Sequence, residues 1–165
     1  MRVLVAGIGN IFFGDDGFGP AVARELVADR FPDVKIEDYG IRGLHLAYEL
    51  SSGYDRAFLI DAVPRGGAAG TLYVIEPRAP SGESIPDAHR MDLENVFAFL
   101  RTIGGEAPPI TLIGCEPSEI GEGIGLSPRV RDAVPPAVDL VRRLLNELLT
   151  ATQCGKKESY VCSEV

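Results

Sequence analysis

At 165 residues the chain is one ordinary domain's worth of sequence, and its 45% hydrophobic and 24% charged content exclude a disordered or fibrous organisation for the bulk of it. Sixteen basic against 24 acidic side chains leave a net charge of -8, which repels nucleic acid and anionic lipid alike, so neither is expected as a partner. No apolar stretch approaches the roughly 20 residues that cross a bilayer, and Met1-Arg2 leads directly into a short strand without a signal-peptide pattern, so a cytoplasmic protein is expected.

The run from Val3 to Ile8 is continuously apolar and ends at glycine, which suits a buried parallel strand. Phe18, Val22 and Leu26 then recur at helical spacing, with Pro20 tolerated in the first turn. Val34 to Tyr39 reads as a second strand, Leu44 to Leu50 as a short helix, and Ala57 to Val63 as a third strand interrupted only by Asp61. Gly70 to Ile75 follows after too few residues for a helical crossover, so it is expected to run antiparallel to its predecessor at the sheet edge.

Glu76 to Ala88 is rich in proline, serine and glycine and reads as a loop. Asp87 is placed to cap a helix whose apolar face is Leu93, Val96, Phe97 and Leu100. Ile110 to Gly114 is the fifth strand, Cys115 to Val134 a long turn-rich segment, and Pro135 to Leu149 a closing helix. The expected fold is a three-layer α/β/α sandwich, with a five-stranded, mostly parallel twisted sheet and one antiparallel edge strand. Residues 1–150 form the single domain, and the polar tail 151–165 is expected to be disordered. The acidic surface disfavours self-association, and a monomer is expected.

Cys115, Cys154 and Cys162 do not make an even disulfide framework, and no histidine stands near the last two at zinc-site spacing. The glycine-rich stretch G-I-G-N-I-F-F-G-D-D-G-F-G, residues 7–19, places Phe12 where a dinucleotide fingerprint needs its third glycine. Two carboxylates, Asp15 and Asp16, occupy the place where phosphate would meet bare amides, so the loop suits a cation. One of the pair, either one by position alone, can be taken as the cap of the following helix.

Asp61 ends a central apolar strand, where a carboxylate without a partner is costly. His89 stands at the end of a loop long enough to reach the same crevice, whereas His45 lies within a helix. Asp16, Asp61 and His89 together make two carboxylates and an imidazole on one sheet edge, the donor set of an open metal site.

These residues resemble the endopeptidases that mature nickel-iron hydrogenases by removing a C-terminal extension from the large subunit. The resemblance covers residues 1 to about 150 and rests on the glycine and aspartate motif, Asp38-Tyr39-Gly40, L-I-D-A-V, Asp-Ala-His89, G-C-E-P-S and G-I-G-L-S-P, in that order. It implies that Asp16, Asp61 and His89 are the nickel-binding positions, completing the coordination of a nickel ion that the precursor itself supplies. The implied partner is the nickel-iron hydrogenase large-subunit precursor, cleaved after metal loading.

Where many members carry glutamate at the first position this chain has the shorter Asp16, and the loop after Asp38, often Gly-Gly-Thr in relatives and implicated in substrate recognition, is Tyr39-Gly40-Ile41-Arg42-Gly43. Two bases stay open, Asp16 and Asp38, as does the choice between a metal-polarised carbonyl and an activated water. A receiver-type signalling domain is the rival from another class. It would place the acidic pair directly after the first strand and a lysine after the fifth, whereas here seven residues separate Ile8 from Asp16 and the lysines are Lys35, Lys156 and Lys157. A nickel-dependent checkpoint chaperone without peptidase chemistry would use the same ligands.

Overall fold

The strand β1 (Val3–Ile8) is buried along its whole length, and its side chains alternate between two cores because successive Cβ atoms leave opposite faces of a strand. Val3 and Val5 join one core and Leu4, Ala6 and Ile8 the other. This computed structural model describes residues 1–76 and 93–157, with the backbone alone given for 152–157. Asp87, His89 and residues 158–165 therefore lie outside the described residues.

The chain continues through α1 (Phe18–Leu26), β2 (Val34–Gly40), α2 (Gly43–Leu50), β3 (Arg56–Ala62), β4 (Leu72–Ile75), α3 (Leu93–Thr102), β5 (Ile110–Cys115) and α4 (Pro128–Lys157). The five strands form one sheet in the order β2-β1-β3-β5-β4, with β4 antiparallel and the rest parallel. Helices α1 and α4 cover the face of Val3, Val5, Phe58 and Ile60, while α2 and α3 cover that of Leu4, Ala6, Ala57 and Leu59. The α/β sandwich with one antiparallel edge strand is the fold expected from the pattern.

The edge strand β4 runs antiparallel as expected and takes its hydrogen bonds from β5, with Leu72 opposite Cys115. One local expectation changes. The last helix begins at Pro128, seven residues before the expected Pro135, and continues past Leu149 to Lys157. Pro135 and Pro136 look like a start because prolines favour first turns, yet both lie inside α4. Val130, Ala133, Val134, Ala137, Val138, Val141 and Leu145 repeat at three and four along its buried face, and that burial keeps the helix intact across the prolines.

The approach of α1 to the sheet fixes the opening of the functional crevice. A Cβ on Gly19 would overlap the carbonyl oxygens of both Ile8 and Ile60, so the first turn of α1 rests directly on the ends of β1 and β3. A methyl there meets backbone that cannot rotate aside, which places the overpacking cost near the top of its usual range, about 3 kcal/mol. Gly19→Ala is accordingly expected to lower the Tm by roughly 6–12 °C in thermal unfolding. A fall below about 2 °C would show that α1 can lift from the sheet at little cost.

Candidate functional site

Beyond the carboxyl end of β1 the chain turns sharply, and one glycine makes that turn feasible. Gly9 has φ +126°, and a Cβ there would overlap the Asp16 carbonyl oxygen. The chain then enters a single 3-10 turn, Gly14–Gly17, which carries both aspartates. Neither side chain caps α1, whose N-cap is Gly17 without a side-chain hydrogen bond. The cap expected of this pair is absent for a reason that lies at the other end of the chain.

Asp15 is 1% exposed and accepts four hydrogen bonds from the segment before α4. The amides of Ser118, Glu119 and Ser127 donate at 2.8, 3.1 and 2.6 Å, and the Ser127 hydroxyl at 2.9 Å. Burial alone would raise this carboxyl, but the four donors outweigh it and hold Asp15 below its ordinary value. Asp15 thus fixes the loop 118–127 and the start of α4.

Asp16 has the opposite environment. It is half-buried, and the Asn10 amide donates to its Oδ2 at 2.6 Å. Burial raises its pKa, and the Asn10 bond offsets this only in part. Adjacent carboxylates thus divide into an ionised anchor and a carboxyl whose charge is poorly compensated by the protein. That second condition suits a group meant to meet a cation or a proton.

Asp61 sits half-buried at the carboxyl end of β3, one residue beyond Ile60, which lies beside Gly7 of β1 across the parallel ladder. Its parity with Ala57 and Leu59 puts it on the face covered by α2 and α3, and its Oδ1 accepts the Ala62 amide at 2.8 Å. The 3-10 turn bearing Asp16 packs against β3, so the two carboxylates belong to neighbouring elements at one end of the sheet. That end is where open α/β sheets hold their ligands. His89 lies outside the described residues, four positions before α3 resumes at Leu93, and among the described residues no three metal-ligating side chains converge.

A further carboxylate organises the loop after Asp61. Glu116 is buried at the end of β5 and accepts the amides of Arg65 at 2.8 Å and Gly66 at 3.1 Å, together with the Tyr73 hydroxyl at 2.8 Å. Burial pushes its carboxyl up, and these donors bring the net shift down. Glu116, within G-C-E-P-S, had no role assigned from the sequence, although it carries the same signal as Asp61, a carboxylate closing an apolar strand. Beside it, burial pushes the Cys115 thiol up to about 11, so it is not a nucleophile at neutral pH.

Asp38 stands at the end of β2 in an ion pair with Arg24, at 3.1 Å from both Nε and a terminal nitrogen. Arg42 closes the following turn by donating to the carbonyl oxygens of Asp38 and Tyr39. These residues, with Gly9, Asn10, Ile11, Phe12, Gly40 and Ile41, line a cleft of about 280 Å³. Asn10 links the cleft to Asp16 through its amide. A candidate base, Asp38, is therefore engaged by a guanidinium, an arrangement that Arg24 gave no sequence signal for.

The chain has relatives among known proteins. The family model described as hydrogenase maturation protease matches residues 20–144. The hydrogenase 2 maturation protease of Escherichia coli is 31% identical, over 89% of this chain and 92% of that protein. The hydrogenase expression/formation protein HupD of Bradyrhizobium diazoefficiens is 33% identical, over 88% of this chain and 79% of that protein. Among solved structures, the hydrogenase 2 maturation peptidase of a Thaumarchaeota archaeon superposes with a TM-score of 0.67 at 34% identity, covering 88% of this chain and 99% of that one. The maturating endopeptidase HybD of E. coli superposes with a TM-score of 0.69 at 28% identity, covering 89% and 93%. The extent of these matches, together with the shared fold, shows that this chain belongs to the hydrogenase maturation protease family and is a peptidase.

Proposed function

We propose that this chain removes a C-terminal peptide from the precursor of a nickel-iron hydrogenase large subunit after nickel has been inserted. Nickel arrives with the precursor, as part of the substrate, and Asp16, Asp61 and His89 complete its coordination. The observation that carries this reading is the contrast within the aspartate pair. Asp15 has four donors and a lowered pKa, while Asp16 has a raised pKa beside the same strand ends that bear Asp61.

Carboxylates and imidazole suit a borderline divalent ion, and each must be deprotonated to bind it. Asp16, one of the two candidate bases, is made more basic than an ordinary aspartate by burial. Asp38, paired with Arg24, holds the wall of the cleft that leads to Asp16. Bound nickel would supply polarisation of the scissile carbonyl, and the chain's own groups would orient the peptide and accept the proton. No helix of the described residues is long and apolar enough to cross a bilayer.

The test is the intact mass of nickel-loaded precursor after incubation with the protein, beside nickel-free precursor and an Asp61→Asn variant. Loss of a C-terminal peptide is expected only with nickel and with Asp61 intact. Nickel-dependent complex formation without any mass change would replace the peptidase by a checkpoint chaperone. Cleavage at the same rate by Asp61→Asn would remove Asp61 from the site.

A further inference from the structure

Nine large apolar side chains are exposed among the described residues, and most of them crowd the carboxyl end of the sheet. Phe12 and Phe13 follow β1, Ile41 and Leu44 follow β2, and Ile120 and Ile124 follow β5. Ile124 is 83% exposed, Ile41 61% and Phe12 60%. Such residues scattered singly are ordinary, whereas a contiguous group rimmed by polar residues marks an interaction site.

Part of this group is joined and rigidly presented. Phe13 pairs with Gly123 in a β-bridge, the Gly123 amide donates to the Phe12 carbonyl at 2.9 Å, and the Gly14 amide donates to the Gly123 carbonyl at 2.9 Å. Phe12 and Ile124 are therefore held out by one hydrogen-bonded corner. The Asp15 bonds to Ser118 and Glu119 fix the base of that corner from below. Ile41 and Phe12 line the same cleft, together with Arg24 and Arg42.

We infer that this apolar collar is the docking surface for the folded body of the hydrogenase precursor, distinct from the contacts made to its metal and its cleaved bond. The inference rests on the processing function proposed above. The fitting occupant is an apolar surface of the precursor itself, because the collar adjoins the crevice that the precursor's scissile segment enters, and the arginines of the cleft are already paired, Arg24 with Asp38 and Arg42 with Glu37. A second copy of this chain is a poor occupant. Two such acidic molecules repel each other, and pairing through the collar would seal the crevice that holds Asp16 and Asp61.

The test compares steady-state processing of nickel-loaded precursor by wild type, F12S/I124S, the single variant Ile124→Ser, and a control pair V27S/V74S that is exposed elsewhere. The collar pair is expected to raise KM at least 10-fold with kcat within about 2-fold and no fall in Tm, with Ile124→Ser intermediate and the control unchanged. If the double variant unfolds, the single variant decides. An unchanged KM, a loss confined to kcat, or an equal loss in the control overturns the docking role while the processing function stands. Wild type that neither binds nor processes the precursor removes both readings. A wild-type dimer in sedimentation that Ile124→Ser dissociates would assign the collar to self-association and overturn the proposal.

Discussion

Asp16→Asn is expected to abolish processing, by about 100-fold or more, while the protein keeps its Tm or gains slightly. The two readouts move apart because of the environment described above. Burial disfavours the charged form of Asp16, so a neutral side chain of the same shape escapes that penalty. The amide oxygen of asparagine can still accept the Asn10 bond at 2.6 Å, which keeps the turn closed. What is lost is a negative charge and a protonatable oxygen at the mouth of the crevice. The check pairs a thermal melt with the precursor mass assay. Full processing by Asp16→Asn would exclude it as ligand and as base, whereas a large fall in Tm would make it a structural residue instead.

Asp15→Ala should do the reverse one position earlier: a stability loss of about 3 kcal/mol, hence a Tm lower by roughly 6–12 °C. Removing the carboxylate leaves three amides and a hydroxyl without their acceptor. Part of that cost is recovered as the loop relaxes toward water, which is why the sum stays below four separate penalties. Processing should fall as well, because the segment 118–127 that carries Ile120 and Ile124 would lose its anchor.

The pH dependence follows from the direction of the Asp15 shift. Its folded-state carboxyl lies below the ordinary 3.8, so the unfolded chain takes up the proton first on acidification. The stability this group provides is complete above pH 3.8 and disappears as pH falls through the lower folded-state value. Melts across that range should show the gap between wild type and Asp15→Ala narrowing below pH 3.8. A constant gap would mean that packing, not charge, accounts for the loss.

The layers of this protein were legible in its residues. Period-two burial in β1 and three-and-four spacing in α1 are consequences of local geometry, and they announce the α/β fold without reference to anything distant. The start of α4 was misplaced: Ser127-Pro128 is a start signal, but the later prolines at 135 and 136 offered a competing one. The antiparallel direction and edge position of β4 were legible, whereas the sheet alone decided that β5 lies between β4 and β3.

At the site the division is sharper. The sequence by itself determined that carboxylates would gather beyond the strand ends, because Asp38 and Asp61 stand near the ends of expected strands and Asp15 and Asp16 follow the first of them. It could not assign them, since adjacent aspartates have the same chemistry until their neighbours are known. Those neighbours are Ser118, Glu119 and Ser127 for Asp15, more than 100 positions along the chain, and Arg24 for Asp38. Tertiary structure alone decided which carboxylate is anchored, which is paired with a guanidinium and which is left raised at the crevice, because hydrogen bonds and desolvation depend on what is near in space.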